Sequence, residues 1–501
     1  MRSLDELRMV NRLARLGAPF VVAAQPVPLA HPRLAALSAG AAGLLGLDPD
    51  LLRSEDALAA LSGNRQLPGG APVVTVHGGH RFGLWAGRLG DAGTLLLGEA
   101  VGAAGQCQEI RLDRAGRAAA LAVPPPGDPA ALLRAAIRAF LCSEALHALG
   151  IPTTRALAVL ASDAAASRES AHQGAVLVRL APDFLSFGHF EHFYFSGRHD
   201  ALRVLADHLI DRALPHLRAE PQPYFALLRE TTLRTARLVA AWQAAGFCHG
   251  LMNTDSMSML GLTMDHGPFA FIEGFDAHHV ANPSDTGGLY AWSAQPGVGE
   301  RNCAALAQAM LPLVGSAEDA RAAVSPYRRE FTAELERLLR ARLGLAAPGD
   351  ADRVLFDRLF ALLHENRADF TLFFRGLAQV RAGDAGGDAT CRALCADGEA
   401  FDAWAEQYRQ RLRQEARDAA ERAHGMRLAN PARVMRDQAV EEAVRQAVGI
   451  EIDQVAEAAL DQAAEATAGR DADFSAIARL QLELSRPFED AEPGFPASAA
   501  R

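Results

Sequence analysis

Two acids stand out in FCHGLMNTDSMSMLGLTMDHGPFAFIEGFD, the run from Phe247 to Asp276: Asp255 lies in a polar turn after His249 and Gly250, and Asp265 opens DHG. The MSMLGLTM stretch between them is apolar and suits a short hairpin, which puts the two acids on neighbouring turns. Carboxylates placed in this way can converge on one divalent cation that bridges nucleotide phosphates. In that arrangement Asp255 accepts or orients a hydroxyl, and Asp265 holds the metal. A local reading competes with it, because an Asp in NTD or DHG can also cap a turn through its own backbone. Two further strings carry ligand-like chemistry, His77 and His80 in HGGH and His189, Glu191 and His192 in GHFEHF. Rings satisfied within the protein are the simpler reading of both than a metal site. Cys391 and Cys395, one helical turn apart in TCRALC with no histidine nearby, read as ordinary thiols.

The elements that must position these residues are legible from periodicity. From about Pro72 to Ile110, VVTVHGGHRFGLWAGRLGDAGTLLLGEAV alternates short β-branched and aromatic runs with glycine-rich breaks, which predicts antiparallel hairpins. Past AVPPPGD, the stretch from Pro129 to Leu149 has apolar residues at helical spacing, with the proline where a first turn tolerates it. ALAVLAS and GAVLVRLA predict a strand pair, and helical periodicity follows from His199 to Gly246, interrupted at HLRAEPQPY. Beyond Arg301 nearly everything predicts helix. The charge-laced C-terminal third reads as a helical shell with solvated faces rather than a coiled coil, since no heptad is sustained. GLAAPGDAD and RAGDAGGDAT predict surface loops, and the segment after Phe488 a frayed end.

Composition limits the function classes. The chain has 501 residues, half of them hydrophobic and 22% charged, which is globular usage. Its 50 basic residues are all arginine; there is no lysine, and 60 acids leave a formal charge of -10. A nucleic-acid groove would have to be a local basic patch against that field, and none is visible. The six cysteines form no CxxC pair, so neither a disulfide framework nor a zinc ribbon is expected. No window has the length and apolarity of a signal peptide or a membrane span, so no membrane partner and a reducing cytoplasmic setting are expected.

The long strings GGHRFGLWAGRLGD (Gly78 to Asp91), SEALHALGIPTTRAL (Ser143 to Leu157), LVRLAPDFLSFGHFEHFYF (Leu177 to Phe195) and GFCHGLMNTDSMSMLGLTMDHGPFAF (Gly246 to Phe271) resemble the SelO (selenoprotein O) family of pseudokinases. Weaker matches in NPSDTGGLYAW, QPGVG, LANPARVMR and SRPFED extend the resemblance from Gln25 to Asp490. It implies an α+β, protein-kinase-like bilobal fold with a helical C-terminal extension. The corresponding division is an N-terminal extension over 1–70, an N-lobe over 71–200, a C-lobe over 201–345 and the helical extension over 346–501. The implied activity is protein AMPylation, in which ATP binds in reverse relative to a kinase and AMP passes to a Ser, Thr or Tyr hydroxyl with Mg²⁺ or Mn²⁺. A protein substrate is the implied partner.

Carried over residue by residue, the resemblance places the catalytic acid on Asp255, the DFG-type metal ligand on Asp265 and one phosphate-binding arginine on Arg179. The second arginine falls on Ser186, and the second metal ligand, an Asn in the family, falls on Ser256, a weaker ligand for a hard cation. The glycine-rich loop starts at Gly90 and reads Gly90, Asp91, Ala92, Gly93, Thr94, so its arginine is missing and one glycine carries a methyl group. A second loop reads GDPA from Gly127 to Ala130. The strand lysine falls on Asp113 and its helix partner glutamate on Ala139, so both halves of an ion pair are gone together. Arg111 and Arg114 flank Asp113, and a register slip of one residue would be needed for either to replace the lysine, at the cost of turning every side chain over. The family's C-terminal Cys or selenocysteine has no counterpart in FPASAAR, so control through it is not expected. Three functions follow as alternatives: AMP transfer with a degraded nucleotide site, a pseudoenzyme that binds a protein or small ligand without turnover, and an enzyme repurposed to another substrate in the same cleft.

Overall fold

Alternating side chains build one large sheet with two different faces. Along Ala175–Ala181 the apolar Val176, Val178 and Leu180 point to one side, and Ala175, Leu177, Arg179 and Ala181 to the other. The computed structural model describes residues 1–88, 93–113, 116–117, 129–162, 174–415, 417–448 and 473–490. Gly90 to Ala92, Arg114, Gly127 and Asp128, the run from Gly449 to Gly469 and the end of the chain after Asp490 lie outside the described residues.

The strands that matter are β1 (Met9–Val10), β2 (Val21–Ala23), β3 (Arg33–Leu37), β4 (Val73–Thr75), β5 (Gly78–Arg81), β6 (Leu84–Arg88), β7 (Thr94–Val101), β8 (Cys107–Asp113), β9 (Arg155–Ala161) and β10 (Ala175–Ala181). An eight-stranded antiparallel sheet runs β2-β4-β7-β8-β10-β9-β3, with β1 added on β7, while β5 and β6 form a separate hairpin. The first 70 residues thus contribute strands to the sheet, and their short helices Ala39–Leu44 and Glu55–Leu61 cover its outer face with Leu45, Leu47, Leu52 and Leu61 against Leu95, Leu112 and Leu180.

The inner face packs on helix α1 (Pro129–Ala148), whose Ile137, Phe140 and Leu141 are completely buried. After β10 the chain becomes helical: α2 (Phe187–Phe195), α3 (His199–Ala213), α4 (Pro223–Ala245) and α5 (Gln295–Val314) form the second lobe around Leu228, Val239, Trp242 and Leu306. A third cluster, centred on Phe275, Phe373, Trp404 and Tyr408, anchors the C-terminal helices. The result is a kinase-like bilobal α+β fold, a sheet-rich first lobe on a helical second, as the resemblance implied. No helix among the described residues is long and apolar enough to cross a membrane.

Candidate active site

Helix α4 stops because Gly246 adopts the left-handed conformation (φ 68°), and the chain turns back through a two-residue strand, Phe247–Cys248, paired with Ala270–Phe271. Gly250 (φ 74°) is required here for space as well, since a Cβ would sit 1.8 Å from the Pro268 carbonyl oxygen. A 3₁₀ turn, Thr254–Ser256, presents Asp255, and an antiparallel bridge between Met257 and Thr263 closes the short hairpin before Asp265. The hairpin is held from below: Trp242 Nε1 donates to Thr263 Oγ1 at 3.0 Å, and Asn302 Nδ2 to the Met252 carbonyl at 2.8 Å. Its two turns meet, with Ser256 Oγ donating to Asp265 Oδ2 at 3.2 Å. Buried His249 and His266 flank Asp265, and both have a proton affinity below the ordinary histidine value, chiefly from burial, so each ring is neutral near pH 7.

The β5–β6 hairpin closes over Asp255. Gly79 and Gly188 allow the approach: a Cβ on Gly188 would lie 2.2 Å from the Gly78 carbonyl oxygen and 3.0 Å from Asp255 Cα. His80 donates its backbone N–H to Thr254 Oγ1 (2.7 Å), and its Nδ1 lies 2.6 Å from Glu191 Oε1, while Thr254 donates to the other Glu191 oxygen. Burial raises the Glu191 proton affinity, against the pull of Thr254 and His80. At the hairpin tip Phe82 N–H donates to the Tyr290 hydroxyl (2.9 Å), which donates to Asn253 Oδ1 (2.8 Å). This seating brings the half-exposed Arg81 guanidinium to Asp255, Nη2 to Oδ2 at 2.8 Å. The other oxygen, Oδ1, is buried without a hydrogen-bond partner among the described residues. Asp255 therefore has one oxygen masked and one uncommitted.

Arg179 enters from β10 and is almost fully buried; its Nη1 donates to Thr154 Oγ1 (3.0 Å) and to the carbonyl of Met264, the residue before Asp265 (2.5 Å). Burial lowers its proton affinity, and Asp113 opposes that effect most strongly. The Asp113 carboxylate lies 2.8 Å from Arg179 Nε and 2.8 Å from Arg111 Nε. Arg111 reaches this acid without the register slip that the sequence predicts it would need. Arg111 and Asp113 are two residues apart and share a strand face without any slip. Ala139 is buried in the core, and Ser186 N-caps α2 from a fully buried position, its hydroxyl 2.9 Å from His189 Nδ1, so neither presents a charge to the cleft. The HGGH and GHFEHF rings serve the loop scaffold, His80 through Glu191 and His189 through Ser186.

The donor set suits a magnesium-like ion. Asp265 and Ser256 offer adjacent hard oxygens. Few protein ligands, completed by phosphate and water, is the usual habit of Mg²⁺. Sequence reasoning missed Arg81, which lies 174 positions from Asp255 and carries no local signal. It also missed Glu191 and Thr254 as the seat of the hairpin, although both stand inside the strings that carried the resemblance.

The family model described as Protein adenylyltransferase SelO matches residues 3–465. The chain is 45% identical over 493 residues to the protein nucleotidyltransferase YdiU of Burkholderia multivorans, covering 95% of this chain and 90% of that protein. The protein of the same name from Paraburkholderia xenovorans is 46% identical over 495 residues, covering 96% and 90%. That of Burkholderia thailandensis is 45% identical over 503 residues, covering 97% and 91%.

Proposed function

The chain belongs to the protein adenylyltransferase SelO family, and on that footing we propose that its cleft transfers AMP from ATP to a hydroxyl of a protein substrate through a weakened nucleotide site. Asp255 Oδ1, the uncommitted oxygen, accepts the proton of the acceptor hydroxyl. The hydroxyl oxygen forms a bond to the α-phosphorus as the bond to the β-phosphate oxygen breaks, and pyrophosphate leaves. Arg179 meets the phosphates beside Asp265. Asp265 and Ser256 would hold the divalent cation, which, when bound, neutralises charge on the phosphates. The single observation that carries this reading is the joining of the three parts. Ser256 and Asp265 touch, Arg179 is bonded to the carbonyl next to Asp265, and Asp255 stands on the same small hairpin.

Weakness follows from the charges missing at positions 113, 139 and 186. Each lost stabilising group typically costs a few kcal/mol at a phosphoryl-type transition state, on the order of 10²–10³ in rate. Calorimetry with ATP and Mg²⁺ or Mn²⁺ should give a dissociation constant weaker than micromolar, and intact mass after long incubation should show AMP adducts on the protein itself or on a generic acceptor. Asp255→Ala and Asp265→Ala should each abolish the adducts in a protein that still folds, and Asp265→Ala should also remove any metal-dependent rise in melting temperature. Tight ATP binding would refute the weakened site, and adducts that survive Asp255→Ala would refute the assigned chemistry. A second reading, binding without turnover, is favoured by one contact, the Arg81 guanidinium on the acid itself; adducts from the unaltered protein would exclude it.

A further inference from the structure

Across the inner face of the sheet, Arg179 of β10 stands directly opposite Arg111 of β8. Like charges in directly opposed positions repel, and an arginine in a protein cannot relieve that by losing its proton. Some anion must therefore sit between them. In this structure it is Asp113, two residues along β8 from Arg111 and paired across the sheet with Leu177 and Thr94. Its carboxylate touches both guanidiniums at 2.8 Å.

The contact to Arg179 is close but poorly directed. Arg179 Nε, 2.8 Å from Asp113 Oδ2, is buried without a properly aligned hydrogen bond, and Asp113 Oδ1, which faces Arg111 Nε, also has none. The two arginines also have supports besides Asp113: Arg179 donates to Thr154 and the Met264 carbonyl, and Arg111, which donates from Nη2 to Asp113 Oδ2 at 3.3 Å, stacks on the Phe184 ring, 4.3 Å from guanidinium carbon to ring centroid. A pair of cations fixed by their surroundings, with a counter-ion that fits them imperfectly, is a site made for a different anion. A phosphate group carries more charge than a carboxylate and offers three acceptor oxygens to guanidinium forks.

We propose that Arg111 and Arg179 together form the phosphate-gripping site of the cleft, and that Asp113 is its resident counter-ion, which the phosphate chain of a nucleotide must displace. This deepens the proposed function and rests on its placing of nucleotide phosphates beside Asp265. It gives Arg111 a binding role in place of the absent lysine, and it makes Asp113 a competitor where a binding residue would be expected. A group that only supports the fold would not behave as a competitor.

The test uses the full chain and titrates inorganic tripolyphosphate and ATP by calorimetry, each with and without Mg²⁺. Asp113→Asn keeps the shape and removes the charge, and should tighten tripolyphosphate binding by roughly tenfold or more. Adding Arg111→Gln to that variant should cancel the gain, and Arg111→Gln alone should weaken binding at least about threefold with the melting temperature retained. If Asp113→Asn fails to fold, the Arg111→Gln titration alone decides. Unchanged or weaker binding by Asp113→Asn, a gain that persists without Arg111, or no tripolyphosphate binding by any variant would overturn the proposal. Tighter tripolyphosphate binding with no AMP adduct from any variant would leave this site standing and remove the transfer reaction instead.

Discussion

Helix α1 is fixed to the sheet by an ion pair that a single substitution can open. Glu144, near its C-terminal end and 8% exposed, receives Arg155 Nε on one oxygen at 2.8 Å and Arg155 Nη2 on the other at 2.6 Å. The same carboxylate accepts from the Ser38 hydroxyl at 2.6 Å and from the Ala156 backbone N–H at 3.2 Å. Glu144→Ala removes all four acceptor contacts and leaves the Arg155 guanidinium, itself 8% exposed, without a counter-ion. Breaking one side of a buried pair costs about 3–5 kcal/mol, well above the ~1 kcal/mol of an exposed one. Arg155→Met alone strands the carboxylate and should cost a similar amount, whereas the double variant removes both charges and should recover about 1–3 kcal/mol of the summed loss. Urea unfolding measures the cycle, and hydrogen exchange of the α1 and β9 amides locates it. A loss below about 1 kcal/mol for Glu144→Ala, or a double variant no more stable than the two losses added, would refute the assignment of this pair as the clamp on α1.

Two further outcomes follow from packing and titration. Gly188→Ala drives a methyl group into the Gly78 carbonyl and the Asp255 backbone, so it should cost about 1–3 kcal/mol and loosen the β5–β6 hairpin in hydrogen exchange, while Gly43→Ala, with nothing within 4 Å, should be neutral or slightly stabilising; equal behaviour of the two would refute the close-approach argument. Glu109 is pushed up to about 8, first by burial and then by Asp183 and Glu99, against the pull of Arg212. Because its folded value lies above the 4.5 of an ordinary glutamate, the native state keeps a proton that the unfolded chain releases, and this group's contribution to stability falls as pH rises from about 4.5 through 8. Glu109→Gln should flatten the decline in melting temperature over that window, and an equally steep decline would refute the assignment.

The framework was legible because its periods are clean. Pro129 opens α1, the ALAVLAS and GAVLVRLA runs pair as β9 and β10, and the helical stretch from His199 is interrupted between Ala213 and Pro223, around the HLRAEPQPY segment. The three-residue strand β2 and the five-residue β3 gave no such signal, since they are too short to show alternation and become strands through their neighbours in the sheet. At the site, the meeting of Ser256 and Asp265 was readable because one small hairpin determines it. The Arg81 contact with Asp255 was not, because it depends on how a distant hairpin seats on Thr254 and Tyr290. From the sequence alone, Asp113 marks only the place where the resemblance expects a lysine. Only the strand face shows that the acid has partners of its own.

The partners of Asp113 decide what an acid at this position does to the cleft. An acid in place of a lysine would leave a net negative cleft if nothing else had changed, and such a cleft would repel phosphate. Here Arg111 and Arg179 face Asp113 and Asp265, two cations with two acids, and Arg81 balances Asp255 outside them. Among the described residues, each of these charges has an internal counterpart. Such a site has no stranded charge to destabilise the fold, yet a ligand must trade against contacts already made. A lysine returned to position 113 by itself would stand beside Arg111 and Arg179 and leave three cations facing Asp265 alone. The resemblance places that lysine's partner glutamate at position 139 on α1, where Ala139 is buried in the core, so restoring the pair means burying a second charge there.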